Sequence, residues 1–132
     1  MEIAKAAEIL ESMLESPGRI EGGKFLFDLD GIEAGIHPLE DGLRLVARAR
    51  DDELPTAVPD DDVKAMLRSI ERALPGVACT LHERQGKVVL CSMTILLPGD
   101  EVELRRVFPK KLVILRTALM KFIVGLYFLS GE

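Results

Sequence analysis

Asparagine and tryptophan are absent from the sequence, and Gln85 is its only glutamine. A shortage of thermolabile amides is typical of thermophile proteins, although a GC-rich genome gives the same bias. Only two cysteines are present, Cys79 and Cys91, and a zinc site usually takes four ligands. We therefore predict a fold without a disulfide framework, a metal or another cofactor.

Catalytic signatures are also missing. The sequence has no glycine-rich phosphate loop, no GxSxG nucleophile elbow and no HExxH zinc motif. His37 and His82 have no spacing that brings them together, and strand parity sets His82 on the opposite sheet face from Cys79. We predict no catalytic, cofactor-binding or metal-binding residue, and an enzyme would need a site assembled from distant residues.

Length and charge restrict the class of protein. A chain of 132 residues fits one domain, predicted to span residues 1–132, and a 48% hydrophobic content favours a folded protein. The formal net charge of -5 disfavours nucleic acid as a partner, because that binding depends on Lys and Arg at phosphates. No basic region followed by an apolar run opens the chain, so we expect a cytoplasmic location.

Residues 112–129 are apolar on nearly every side of a predicted helix, interrupted only by Arg116, Thr117, Lys121 and Gly125. A helix of this kind is buried on several sides, so a second copy, a client protein, a membrane surface or the rest of the fold must cover it. A transmembrane anchor would place two basic side chains in hydrocarbon, at about 2.5 to 3.5 kcal/mol each. We predict a homodimer whose interface is formed by Leu112, Leu115, Leu119, Phe122, Ile123 and Leu126.

The first half of the chain shows clear periodicity. Apolar residues from Ile3 to Leu14 recur at helical spacing, and two alternating runs flank Asp30-Gly31, a strong hairpin signal. A two-residue turn pairs Leu29 with Ile32 and sets every apolar residue of both runs on one face. A third strand is predicted after these runs, because apolar residues recur at every second position: Leu43, Leu45, Ala47 and Ala49.

A second helix and a second hairpin follow. Val63, Met66, Leu67 and Ile70 mark the helix. For the hairpin, a three-residue loop at 84–86 would set Cys79 opposite Cys91, as free thiols or as a cross-strand disulfide. Residues 101–108 fit a helix or a strand, and Pro109 suits the first turn of the terminal helix. The fold class is α+β, one antiparallel sheet of about five strands with helices on one face, in the order α-βββ-α-ββ-α.

Two local features have a sharp and a plain interpretation. Residues 28–33 resemble a calcium loop, but Gly31 comes fourth instead of sixth, and a hairpin turn explains them better. On the sheet face opposite the core, Arg44, Arg48 and Arg50 form either a basic groove or cross-strand ion pairs with Asp28 and Glu33. The same face carries a further set of apolar residues, which makes a second covered surface plausible: Leu26, Val46, Val88, Leu90 and Leu96.

The order of elements resembles the type III secretion chaperone-like fold over the whole chain. The resemblance rests on topology and transfers no functional residue. It implies a small, acidic, cytoplasmic protein that dimerises and holds a client protein segment, either on residues 112–129 or on the second sheet face. We therefore expect a protein-protein interaction module. The alternatives are a peripheral membrane-binding protein that uses the basic, apolar terminal helix, and a small ligand-binding domain or enzyme.

Overall fold

The structure is a computed structural model that describes residues 1–50, 58–84 and 87–130. Three helices and six strands follow one another as α1 (Ile3–Glu11), β1 (Arg19–Glu21), β2 (Lys24–Leu29), β3 (Ile32–Leu39), β4 (Gly42–Arg50), α2 (Asp60–Ala73), β5 (Ala78–Arg84), β6 (Lys87–Pro98) and α3 (Glu101–Ser130). The strands form one antiparallel sheet in the order β1-β2-β3-β4-β6-β5. The predicted α+β class with a single antiparallel sheet is confirmed.

The first hairpin has the predicted register. Asp30 and Gly31 occupy the turn with φ of 54° and 87°, and Leu29 pairs with Ile32, Phe27 with Ala34. Positive φ at both turn residues matches the twist of a two-residue hairpin, which is why Asp-Gly is favoured there. The Asp28 carboxylate accepts a hydrogen bond of 3.2 Å from the Gly31 amide, so this acid stabilises the turn.

The sheet has six strands because β1 precedes the predicted meander. β1 is three exposed residues long, and it pairs with β2 through a Gly22-Gly23 turn in which both φ values are positive. So short a strand, with Ile20 as its only apolar residue, shows no alternation to detect. A Gly-Gly pair ahead of an alternating run is nevertheless a hairpin signal that sequence reasoning could have used.

The predicted register of the second hairpin is wrong by two residues. Cys79 pairs with Met93, and Cys91 pairs with Leu81 on one side and with Ala49 on the other. A shift of two residues keeps every side chain on its predicted face, so the apolar pattern could not distinguish the two registers. An irregularity between His82 and Glu83 accompanies the change, and the predicted loop residues Gln85 and Gly86 lie outside the described residues.

The terminal helix begins at Glu101, eight residues before Pro109, which lies inside it. The Asp100 carboxylate accepts a 3.0 Å hydrogen bond from the Glu103 amide and caps the first turn. Leu104 and Phe108 are fully buried at helical spacing, which settles residues 101–108 as helix. Pro109 costs one backbone hydrogen bond, but the buried residues on both sides of it keep the helix continuous.

The core lies between one face of the sheet and the three helices. α3 packs along β6 and contacts α1 and α2. The predicted interface residues Leu112, Leu115, Leu119, Phe122 and Leu126 are all buried in this core, and Ile123 packs partly buried against it. The sequence analysis assigned this side of α3 to a partner, but the fold of a single chain already covers it. Other residues of α3 form its exposed surface.

Candidate functional site

The sheet face that points away from the helices is concave. At its centre Gly35, Val46, Thr94 and Ala78 are neighbours in register across β3, β4, β6 and β5. Val46 is only 4% exposed, although no helix packs on this face. We call this depression the sheet trough; its volume is about 700 Å³, and its lining is formed by His37, Arg44, Val46, Arg48, Gly76, Ala78, Thr80, His82, Ser92, Thr94 and Leu96.

Two arginines stand on either side of the floor of the sheet trough. Arg44 and Arg48 lie two residues before and two residues after Val46 on β4, and successive even positions of a strand share a face. Arg48 is opposite Glu33 in the register, yet no ion pair joins them. Within the described part of the chain neither arginine forms an ion pair, so the structure favours a basic groove over cross-strand ion pairs.

The pKa of His37 is affected by its position in the sheet trough. Burial lowers the pKa of its imidazole to about 4, with further lowering by the positive charges of Lys24, Arg48 and Arg44. His37 is therefore neutral at pH 7, where its ring both donates and accepts a hydrogen bond. The lowered pKa thus reflects the burial of the ring first and the three nearby positive charges second.

Both histidines line the trough, which sequence reasoning missed. His37 lies on β3 and His82 on β5, with β4 and β6 between them, so they are not a contacting catalytic pair. Strand parity already set both residues on the non-core face. The missing information was the strand order, because a sheet with β6 next to β4 brings two sequence-distant hairpins onto one concave surface.

The two cysteines lie on the other face, in the core. Cys79 and Cys91 are buried thiols that no disulfide joins. Burial raises the pKa of the Cys79 thiol to about 11, and the charge of Glu71 raises it further, so the nucleophilic thiolate is disfavoured. No group of three or more His, Cys, Asp or Glu suited to a metal ion occurs within residues 1–50, 58–84 and 87–130.

A second surface runs along the outside of α3. Val113, Thr117, Met120, Val124 and Tyr127 follow one another at spacings of four, three, four and three residues, and all five are exposed. We call this set the α3 outer stripe. The Thr117 hydroxyl donates a 2.8 Å hydrogen bond to the Val113 carbonyl, so covering the stripe leaves this donor satisfied. Phe128, 85% exposed, adds a large apolar side chain beside the end of the stripe.

Basic residues accompany this surface. Lys110 and Lys121 are exposed on α3, whereas Arg116 is directed to two acids, with its Nε 3.4 Å from Asp30 Oδ2 and an Nη 3.7 Å from Glu15. In the described part of the chain, α3 is the one helix long and apolar enough to cross a membrane by length and composition, and 33% of its most apolar window is buried in the fold. A core helix passes the same test.

Comparison with known proteins identifies the fold. No protein-family model matches the chain, and no curated protein sequence matches it. The structure is similar to the crystal structure of YbjN, a proposed transcription regulator from E. coli, with a TM-score of 0.70 and 15% sequence identity. The match covers 98% of this chain and 95% of that chain. At this identity the likeness shows the α+β fold alone, and the resemblance to type III secretion chaperones stays a prediction.

Proposed function

We propose that the protein is a cytoplasmic protein-protein interaction module that forms a homodimer through the α3 outer stripe and holds a client protein on the sheet trough. The observation that carries the dimer is the apolar exposure of α3. Val113 is 59% exposed, Met120 59% and Val124 57%, and these side chains lie one above another on a single helix face. The interface therefore moves from the residues that the sequence favoured to the opposite side of the same helix.

The spacing of the stripe suits a helix as its partner. Alternating steps of three and four residues are the pattern by which two helices interlock along a shallow crossing angle. The stripe from Val113 to Tyr127 spans about 21 Å at 1.5 Å per residue, which is long enough for three turns of each helix to touch. A second copy of α3 offers the same apolar surface, and a two-fold dimer needs only one such patch.

The position of Lys110 favours an antiparallel pair. When two copies of α3 cross antiparallel at Met120, the two Lys110 residues lie about 30 Å apart along the axis, at 1.5 Å per residue. A parallel pair would set these like charges side by side. We therefore propose an antiparallel α3 pair with Met120 of the two copies at its centre.

Light scattering on size-separated protein tests the dimer. We expect the wild type to be dimeric, and Met120→Glu and Val124→Glu to be folded monomers, because each buries a charge in the interface but not in the core. Val102→Glu is the matched control: Val102 is 72% exposed on α3 but outside the stripe, so this variant should remain dimeric. A monomeric wild type, or dimeric Met120→Glu and Val124→Glu, contradicts the proposal.

The same samples separate the dimer from membrane binding. The exposed apolar end of α3, with Lys110 and Lys121 nearby, is also the kind of surface that binds anionic lipid. A wild-type monomer that sediments with anionic vesicles but not with neutral ones, and loses this binding at high salt, would favour the peripheral membrane alternative. A dimer indifferent to both kinds of vesicle supports the interaction module.

A further inference from the structure

We propose that the sheet trough binds an extended, carboxylate-rich peptide segment, with Arg44 and Arg48 as its main contacts. This inference rests on the proposed function and gives the chemistry of the client. It also assigns a role to a surface that the fold leaves uncovered, since the helices pack on the opposite side of the sheet.

The shape of the trough comes from small residues in its central row. Gly35 and Ala78 stand at the two ends of this row and Val46 and Thr94 between them, while the neighbouring rows carry Arg44 between His37 and Leu96 on one side and Arg48 between Glu33 and Ser92 on the other. A Cβ added at Gly35 would lie 2.9 Å from the Leu26 side chain and 3.5 Å from His37 Nε2, so glycine lets these two side chains pack over the backbone at this end of the row. The depression therefore runs across the strands and is bounded by Arg44 on one side and Arg48 on the other.

The charge of the trough selects an anionic ligand. The chain has 22 acidic and 17 basic residues, yet no acid is among the described residues that line the trough, and Glu33 lies beside it, opposite Arg48 in the register. Arg44 and Arg48 form no ion pair within the described residues, so their guanidinium groups are available to carboxylates, which they bind in bidentate fashion. Thr80 adds a hydroxyl that can hydrogen-bond to a peptide backbone, whereas the Thr94 hydroxyl already donates to the Ala78 carbonyl at 3.5 Å and has only its acceptor capacity left for a ligand.

The composition of the lining favours a peptide over a nucleic acid. Single-stranded nucleic acid binds by stacking its bases on aromatic side chains, and no Phe, Tyr or Trp lines the trough. Val46 and Leu96 instead provide apolar contacts for the side chains of a peptide.

The dimensions fix the length of the probe. From β3 to β5 the trough crosses three inter-strand spacings, or roughly 14 Å at about 4.8 Å each. An extended chain covers this distance with four to five residues at roughly 3.3 Å per residue. A peptide of eight residues therefore spans the trough with both ends free for a label.

Fluorescence anisotropy with a labelled (Glu-Ala)₄ peptide tests the inference. We expect binding that weakens with salt, no binding of the neutral peptide (Gln-Ala)₄, and at least a tenfold loss of affinity in Arg44→Gln and in Arg48→Gln. Ala78→Glu, a change at an exposed residue of the trough, should also weaken binding through like-charge repulsion. Arg105→Gln is the matched control, since Arg105 is exposed on α3 and should leave affinity unchanged.

Several results would overturn the inference. The first is that the (Glu-Ala)₄ peptide does not bind, and the second is that Arg44→Gln and Arg48→Gln bind it as tightly as wild type. The third is full displacement of the peptide by an equal concentration of inorganic phosphate. The fourth is that octauridylate binds in place of the peptide with the same dependence on the two arginines. The oligomeric state is measured on the same samples. A dimer that binds no peptide overturns only this inference, whereas a monomer that binds the peptide through Arg44 and Arg48 supports it and contradicts the dimer.

Discussion

The backbone amide of Cys79 donates a 3.0 Å hydrogen bond to the Glu71 carboxylate and so ties the edge strand β5 to the end of α2. The Arg68 guanidinium donates to the same carboxylate from one turn earlier in the helix. Glu71 thus satisfies an amide on the outer edge of β5, where no further strand pairs with it in the described sheet. An edge amide that is already bonded is also a poorer site for pairing with another chain.

Removing the Glu71 carboxylate should destabilise the fold. We expect Glu71→Ala to lower the free energy of unfolding by about 1 to 2 kcal/mol, because a hydrogen bond to a charged acceptor is lost and a partly buried amide is left without a partner. Glu71→Gln keeps an acceptor and should lose less. Urea denaturation at pH 7 measures both, with Glu8→Ala on the exposed face of α1 as the control. Equal stability of Glu71→Ala and wild type would show that this contact contributes nothing.

The same contact gives a pH dependence with a definite sign. The Cys79 amide, followed by Arg68, lowers the pKa of Glu71 below its ordinary value of 4.5. The contribution of the carboxylate to stability is therefore complete above pH 4.5 and is lost as the pH falls through the lowered pKa of the folded state. The stability difference between wild type and Glu71→Gln should be constant from pH 7 to 5 and shrink below that range. A difference that grows on acidification would contradict this assignment.

His37 should make the protein less stable in mild acid. Its pKa is about 4 when folded against an ordinary 6.5, so the unfolded chain takes up the proton first. The contribution of neutral His37 to the free energy of unfolding is complete above pH 6.5, and it is lost as the pH drops from 6.5 towards 4. His37→Gln should flatten the stability profile in this window, and NMR titration of the ring measures the pKa directly. A measured His37 pKa near 6.5 would contradict both the burial of the ring and the effect of the nearby positive charges.

Two substitutions of Asp30 test separately how backbone strain and charge at this turn affect stability. Asp30 has a φ of 54° and, while itself exposed, pairs with the half-buried Arg116. Asp30→Asn loses the charge but tolerates this φ, so we expect a cost below about 1 kcal/mol. Asp30→Val cannot relax into the turn and should cost about 1 to 3 kcal/mol more. Thermal unfolding of the two variants at low and high salt distinguishes them, and equal melting temperatures would exclude backbone strain as the dominant effect.

Substitution by alanine should lower stability at Gly42 and leave it nearly unchanged at Gly125. A Cβ at Gly42 would lie 2.7 Å from the Leu97 carbonyl oxygen, so β4 and β6 would have to separate, at a cost of about 1 to 3 kcal/mol. A Cβ at Gly125 meets only the flexible end of Met66 at 2.8 Å, and alanine is favoured over glycine in a helix by about 1 kcal/mol. We expect Gly125→Ala to be close to neutral in urea denaturation. Similar losses in both variants would show that α2 and α3 pack too rigidly for Met66 to move.

Local patterns predicted the fold well wherever the signal was confined to one hairpin or one helix. The Asp30-Gly31 turn and the register of β2 with β3 follow from alternation and turn chemistry alone. The second hairpin shows the limit, because a shift of two residues preserves the face of Cys79 and only tertiary packing selects the register. The short strand β1 carried too few apolar residues to be detected.

The candidate surfaces depended more on tertiary structure. Sequence parity placed Arg44 and Arg48 on the non-core face, but the depression between them depends on the order of β3, β4, β6 and β5 in the sheet. For α3, hydrophobicity on all sides indicated two covered sides without showing which one faces the core. The fold assigns Leu115 and Phe122 to the core and leaves Met120 outside.

The position of α3 after β6 affects how the protein is made. While a ribosome synthesises the chain, both hairpins emerge before the helix that covers most of their apolar face. The β4–β6 pairing joins them across a long sequence separation, and contacts of that kind form slowly. A nascent chain that ends near Gly99 would therefore expose Leu45, Met93 and Ile95 to solvent, and the core would be completed only once α3 can pack on the sheet.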